Sequence, residues 1–87
     1  MEALDGNAIA GLLFEVFGAE MTTATSICAT CGQSAQVAEL EVYLRAPGTV
    51  VRCRSCGIVL MVLVTVRGIT CVDLRGVAHF ESARYAN

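Results

Sequence analysis

The sequence reads Cys28-Ala-Thr-Cys31-Gly32 at one point and Cys53-Arg-Ser-Cys56-Gly57 at another, and these two stretches decide the fold. Two cysteines three apart in a tight turn can aim both sulfurs at one point. A glycine after them accepts positive φ and lets backbone amides approach the sulfurs. Two such turns supply four thiolates in a tetrahedron, about 2.3 Å from a zinc ion. Twenty-one residues lie between the pairs, slightly more than the usual ribbon spacing, which suits a hairpin that returns to the same end. The pattern therefore points to one structural zinc held by Cys28, Cys31, Cys53 and Cys56.

Other uses of these cysteines fit less well. Two disulfides conflict with a reducing cytoplasm. A thioredoxin-like redox pair needs a C-x-x-C at a helix start beside a βαβ pattern, which is absent. A rubredoxin-like iron electron carrier stays open, because a four-thiolate tetrahedron suits iron as well as zinc. Rubredoxins, however, surround the iron with aromatic residues, and this chain has no Trp. Four cysteines also close the metal sphere, whereas a catalytic zinc keeps one position open. Cys71 reads as a core thiol on an apolar strand. His79, the only histidine, reads as a partly exposed edge residue. With no Ser-His-Asp set, phosphate loop or pocketed carboxylate pair in view, no enzyme is expected.

The 87 residues allow one domain, 1–87, with a thin core that a metal commonly reinforces. Hydrophobic residues make up 55% of the chain, enough to leave apolar surface for a protein partner or a second copy. The longest apolar run, Ile58 to Val66, is far shorter than the roughly 20 residues of a spanning helix and is rich in β-branched residues. No basic, cleavable leader is legible, so no membrane and a cytoplasmic location are expected.

Charge divides the chain. Residues 1–43 hold six acids and no Lys or Arg, while residues 44–87 hold all six Arg against two acids. The formal charge of −2 falls to about −4 once four thiolates bind a divalent ion. That balance opposes loose attachment to nucleic acid. Arg45, Arg52 and Arg54 nonetheless cluster along one hairpin and its knuckle, and they carry the alternative of a nucleic-acid-binding ribbon.

The remaining elements follow from periodicity and punctuation. Asp5 caps a helix over about 5–17, with Ile9, Leu12, Leu13, Val16 and Phe17 as its apolar stripe and Gly18 as its left-handed stop. A short strand leads into Cys28. Residues 36–44 alternate as a strand, with Ala38, Leu40, Val42 and Leu44 on one side. Ala46-Pro47-Gly48-Thr49 is read as the following turn. That turn sets Glu41 opposite Arg54, Tyr43 opposite Arg52, Val42 opposite Cys53 and Leu44 opposite Val51. Strand 58–66 is apolar on both faces and so needs cover on both. Arg67-Gly68 turns it back as 69–74, 77–80 adds an edge strand, and 82–87 reads as a frayed end.

Taken together, Leu4-Asp5-Gly6-Asn7-Ala8, the stretch Gly11 to Gly18, Met21-Thr22 and the two C-x-x-C-G loops resemble a family of short actinobacterial proteins of unknown function with a zinc ribbon. The resemblance covers residues 4 to about 80. It implies the ribbon fold and the metal role of the same four cysteines, and supplies no activity. The expected architecture is small α+β: an N-terminal helix packed on an antiparallel zinc-ribbon sheet. The expected function is a non-enzymatic protein-interaction module.

Overall fold

A computed structural model describes residues 4–45 and 48–81. The chain begins with a 3-10 turn, Gly6–Ile9, that runs into helix α1, Ala10–Phe17. The Asp5 side chain accepts the Asn7 amide at 3.1 Å, so the expected cap is present. Gly18 closes the helix in the left-handed region at φ 71°, donating to the Phe14 carbonyl. Ile9 and Leu13 are buried, and Leu12, Val16 and Phe17 pack beside them.

Among the described residues, seven strands form two antiparallel sheets. β1 (Thr25–Cys28), β2 (Ser34–Gln36) and β7 (Val77–Glu81) make the small sheet, in the order β2-β1-β7. β3 (Glu41–Arg45), β4 (Gly48–Arg52), β5 (Val59–Val66) and β6 (Ile69–Asp73) make the large one in chain order. The tail strand is thus an edge of the small sheet. Phe80 on it meets Phe17 of the helix edge-on, with ring centroids 5.9 Å apart. No described helix is long and apolar enough to cross a membrane.

Two expectations about the first hairpin are corrected. The single strand 36–44 is broken by a 3-10 turn, Val37–Glu39. The Glu39 carboxylate accepts the Gln36 amide at 3.2 Å, a local cap that competes with strand pairing. The Val37 and Ala38 amides donate to Ala24 and Thr22 carbonyls instead of a ladder, and Val37 is buried. Gly6 lies so close that a β-carbon there would sit 1.9 Å from the Val37 oxygen.

The hairpin register is the second correction. Glu41 pairs with Arg52, not Arg54; Val42 pairs with Val51, Tyr43 with Val50, and Leu44 with Thr49. The ladder is shifted by two residues because Gly48 belongs to β4 and pairs with Arg45. Ala46 and Pro47 of the expected turn lie outside the described residues, as do 82–87. A two-residue shift keeps every side chain on its face, so alternation cannot detect it.

The core lies between the sheets and the helix. Val42, Val51, Met61 and Leu63 project from the large sheet into it, each no more than 1% exposed. Leu60 joins them beside Met61, because the β4–β5 ladder carries an irregularity where Val51 faces Met61 but Arg52 faces Val59. The outer face of the same sheet has no cover among the described residues. Tyr43, Val50, Val62 and Val64 are half-buried there, and Val66 and Ile69 are exposed. Cys71, expected in the core, sits exposed on this face, paired with Val64. β6 is the sheet's edge, and nothing among the described residues lies over it.

Candidate metal centre

Each C-x-x-C-G stretch folds into the same small loop at the end of a strand. The Gly32 amide donates to the Cys28 carbonyl at 3.0 Å, and the Gly57 amide to the Cys53 carbonyl at 3.0 Å. Both glycines take positive φ, 74° and 82°, which a side chain would strain. Cys28 is further tied to the Gln33 carbonyl and Cys53 to the Ile58 carbonyl through their amides. Backbone amides also reach the sulfurs: Cys31 donates to Cys28 Sγ at 3.5 Å, and Ser55 to Cys53 Sγ at 3.4 Å.

The two loops converge. The sulfurs of Cys28, Cys31, Cys53 and Cys56 all lie within 4.8 Å of one another. Cys28 and Cys56 are 3.7 Å apart, and so are Cys31 and Cys53. A tetrahedral ion with metal–sulfur bonds of about 2.3 Å needs sulfur–sulfur edges of about 3.8 Å. The donor set therefore fits one four-coordinate metal. Cys28 and Cys53 are buried while Cys31 and Cys56 reach the surface.

Electrostatics mark the place as one for a cation. The Cys31 amide, followed by burial acting the other way, sets the Cys28 thiol, which ends lowered to about 7. Burial opposes ionisation of Cys53, but the Cys56 and Ser55 amides outweigh it and lower its pKa. At Cys56 the Ile58 amide favours the thiolate, yet burial and the three other sulfurs push it up to about 11. Four like charges in one small volume cannot ionise together without a metal to neutralise them.

The structure also shows what supports the loops. Arg52 Nη1 donates to the Gly57 carbonyl at 2.9 Å, and its guanidinium lies 5.9 Å from the Tyr43 ring centroid. One arginine of the expected cluster thus props the second loop. Arg54 and Glu41 both line a cleft beside the centre, but no ion pair joins them. Gly76 escaped the sequence reasoning altogether. Its carbonyl accepts the Ala29 amide of the first loop at 2.9 Å, and its amide donates to the Leu60 carbonyl at 3.1 Å. A β-carbon at Gly76 would sit 2.1 Å from the Val59 oxygen. Only a glycine flanked by ordinary turn residues is visible in the sequence. Cys71 and His79 stay apart from the four sulfurs, His79 lying on β7 with Nε2 3.4 Å from Glu81.

A four-cysteine centre on two ribbon loops is now joined to a sequence match along nearly the whole chain. The chain belongs to a family of unknown function, DUF6510, whose pattern covers residues 1–84. The match spans the helix, both sheets and all four cysteines of the family member described above. No curated protein and no solved structure is detectably similar to it.

Proposed function

We propose that this chain is a non-catalytic protein-interaction module, stapled by one structural zinc ion and docking through the outer face of its large sheet. The observation that carries the reading is that face. Tyr43, Val50, Val62, Val64, Val66 and Ile69 form a continuous apolar surface by strand register, with no cover among the described residues. Burying side chains of this size is worth roughly 1.5–3 kcal/mol each. Such a surface on a small domain marks a contact site.

Zinc is favoured over iron by the lack of an aromatic shell, and four thiolates leave no open coordination position for catalysis. Two arginines, Arg45 and Arg52, border a shallow depression on the same face with Tyr43 and Val50. Arg52 is already engaged within the chain, which weakens the nucleic-acid alternative.

The test has two parts. Metal analysis of the purified chain should read one zinc per chain; iron, with its visible absorption, would overturn the zinc assignment. The tagged chain and a Val62→Glu, Val64→Glu variant are then compared by cross-linked pull-down in the native host. The native chain should retain a protein other than itself that the variant loses. Equal capture by both, or low-salt retention on DNA that survives the variant, would overturn the docking face.

A further inference from the structure

We propose that a second copy of this chain joins this one by antiparallel pairing of β6 with its twin about a two-fold axis at Cys71. This rests on the interaction-module reading and places a contact at the edge of the large sheet, beside the outer face rather than on it. The two outer strands of the large sheet are not equivalent. β3 is blocked near its start, where Leu4 exchanges two backbone hydrogen bonds of 2.8 Å with Val42. β6 has no such cover among the described residues. Its first four residues, Ile69-Thr70-Cys71-Val72, hold no charge and no proline, its one charge, Asp73, stands at the strand's end, and its ladder with β5 runs without a bulge.

Backbone parity fixes how a second strand would join. Arg67 and Gly68, with φ of 53° and 78°, make a two-residue turn, so Val66 and Ile69 form a hydrogen-bonded pair. Alternation makes Val64–Cys71 and Val62–Asp73 hydrogen-bonded too, and it turns the amides and carbonyls of Thr70 and Val72 outward. Those two residues stand symmetrically about Cys71. A two-fold axis there sets Thr70 against Val72 of the partner subunit, and the reverse, so that every outward group of both residues is bonded. Cys71 then faces Cys71 of the partner subunit in a non-hydrogen-bonded pair, with Cα atoms about 4.5 Å apart.

In this register Ile69, at 68% exposed, faces the partner's Asp73 and gains the partner's Cys71 as a diagonal neighbour on the outer face. The same register sets the turn holding Arg67 beside the partner's Arg75, which already holds Asp73 at 2.7 Å, so the pairing draws on backbone bonds rather than on charge. The outer apolar faces of the two copies become one eight-stranded surface. A five-residue edge pair buries less than the roughly 800 Å² per partner of a standard interface, so a micromolar dimer is expected.

The full metal-loaded chain is tested by sedimentation velocity across the micromolar range. Dimer formation is expected. Thr70→Pro removes an outward amide and the Thr65 side-chain hydrogen bond but no backbone bond of the β5 ladder, and should raise the dissociation constant at least about tenfold with metal content unchanged. Diamide should convert two Cys71 thiols into one disulfide, itself taking up both hydrogens as the hydrazine, and peptide mapping should find a Cys71–Cys71 link. Cys71→Ser should still dimerise and give no link. Absence of that link from the native chain overturns the proposal, even if Thr70→Pro fails to fold. A dimer lost in Val62→Glu, Val64→Glu but indifferent to Thr70→Pro overturns the edge pairing and leaves the module reading standing. A monomer that captures no partner overturns both.

Discussion

The two faces of the large sheet are built from the same alternating strands and end in opposite surroundings. Inward, Val42, Val51, Met61 and Leu63 meet the helix, the small sheet and the metal loops. Outward, Val50, Val62 and Val64 stay half-buried and Val66 exposed, with no second layer over them among the described residues. Residue type does not separate the faces, since valine is common to both. What separates them is supply. An eight-residue helix and a three-stranded sheet can cover one side of a four-stranded sheet and no more. The four-cysteine loops tie that cover together, and a bound metal would lock it in place.

The sharpest way to break the comparison is to remove the metal. Cys28→Ser should lose the ion and unfold the inner face, because zinc binding contributes on the order of 10 kcal/mol to such domains. Circular dichroism with metal analysis reads both losses. Cys71→Ser should keep the full metal content and the native spectrum, since Cys71 lies on the other face.

A truncation pair measures the two faces directly. Leu63→Ala on the inner side should cost about 2–5 kcal/mol in urea unfolding. Ile69→Thr on the outer side should stay within about 0.5 kcal/mol for the separated chain. Similar costs at both sites would mean that the outer face is covered.

How much of this was legible in the sequence depended on how local the deciding force is. The cysteine loops, the Asp5 cap, the Gly18 stop and the Arg67-Gly68 turn are each set by a few neighbouring residues, and each was readable. The hairpin register was not. Glu41 opposite Arg54 and Glu41 opposite Arg52 leave the same faces apolar, and only the place of Gly48 in the strand decides between them. The break at Val37–Glu39 was hidden for a related reason. Its apolar alternation satisfies a strand, while Glu39 capping Gln36 and the bonds to Thr22 and Ala24 satisfy the backbone better. Cys71 was misplaced because a residue's apolar neighbours cannot tell which side of a sheet will receive cover.

Two glycines offer a smaller contrast within the covered side. Gly76→Ala should destabilise by about 1–3 kcal/mol, since the added carbon meets backbone of Val59 and Leu60 that cannot swing aside. Gly11→Ala should stabilise by up to about 1 kcal/mol, because it lies in α1 with open space around it. Thermal melts of both variants, with metal bound, decide the signs.

The smallest effect belongs to the sheet's exposed rim. Arg75 hydrogen-bonds the Asp73 carboxylate, with its closest contact at 2.7 Å, and holds its pKa at about 2 against an ordinary 3.8. A depressed carboxyl pKa adds stability above its unfolded value, and that stability fades as pH falls from about 4 toward 2. The pair lies at the surface, with the Arg75 side chain 92% exposed, so the stability change should be slight. Carbon-detected titration should show Asp73 returning toward its ordinary value in Arg75→Ala.

Gly76 has a consequence for how the molecule comes apart. Its amide is anchored on the large sheet at Leu60, and its carbonyl on the first metal loop at Ala29. Neither anchor can be released without freeing the start of β7, and β7 carries the Phe80 ring that rests on Phe17. The two sheets and the helix therefore form one cooperative foldon rather than a ribbon with attachments. Amide exchange at Gly76 and Ala29 should then report the global opening free energy, and chelation should bring both down with the whole chain.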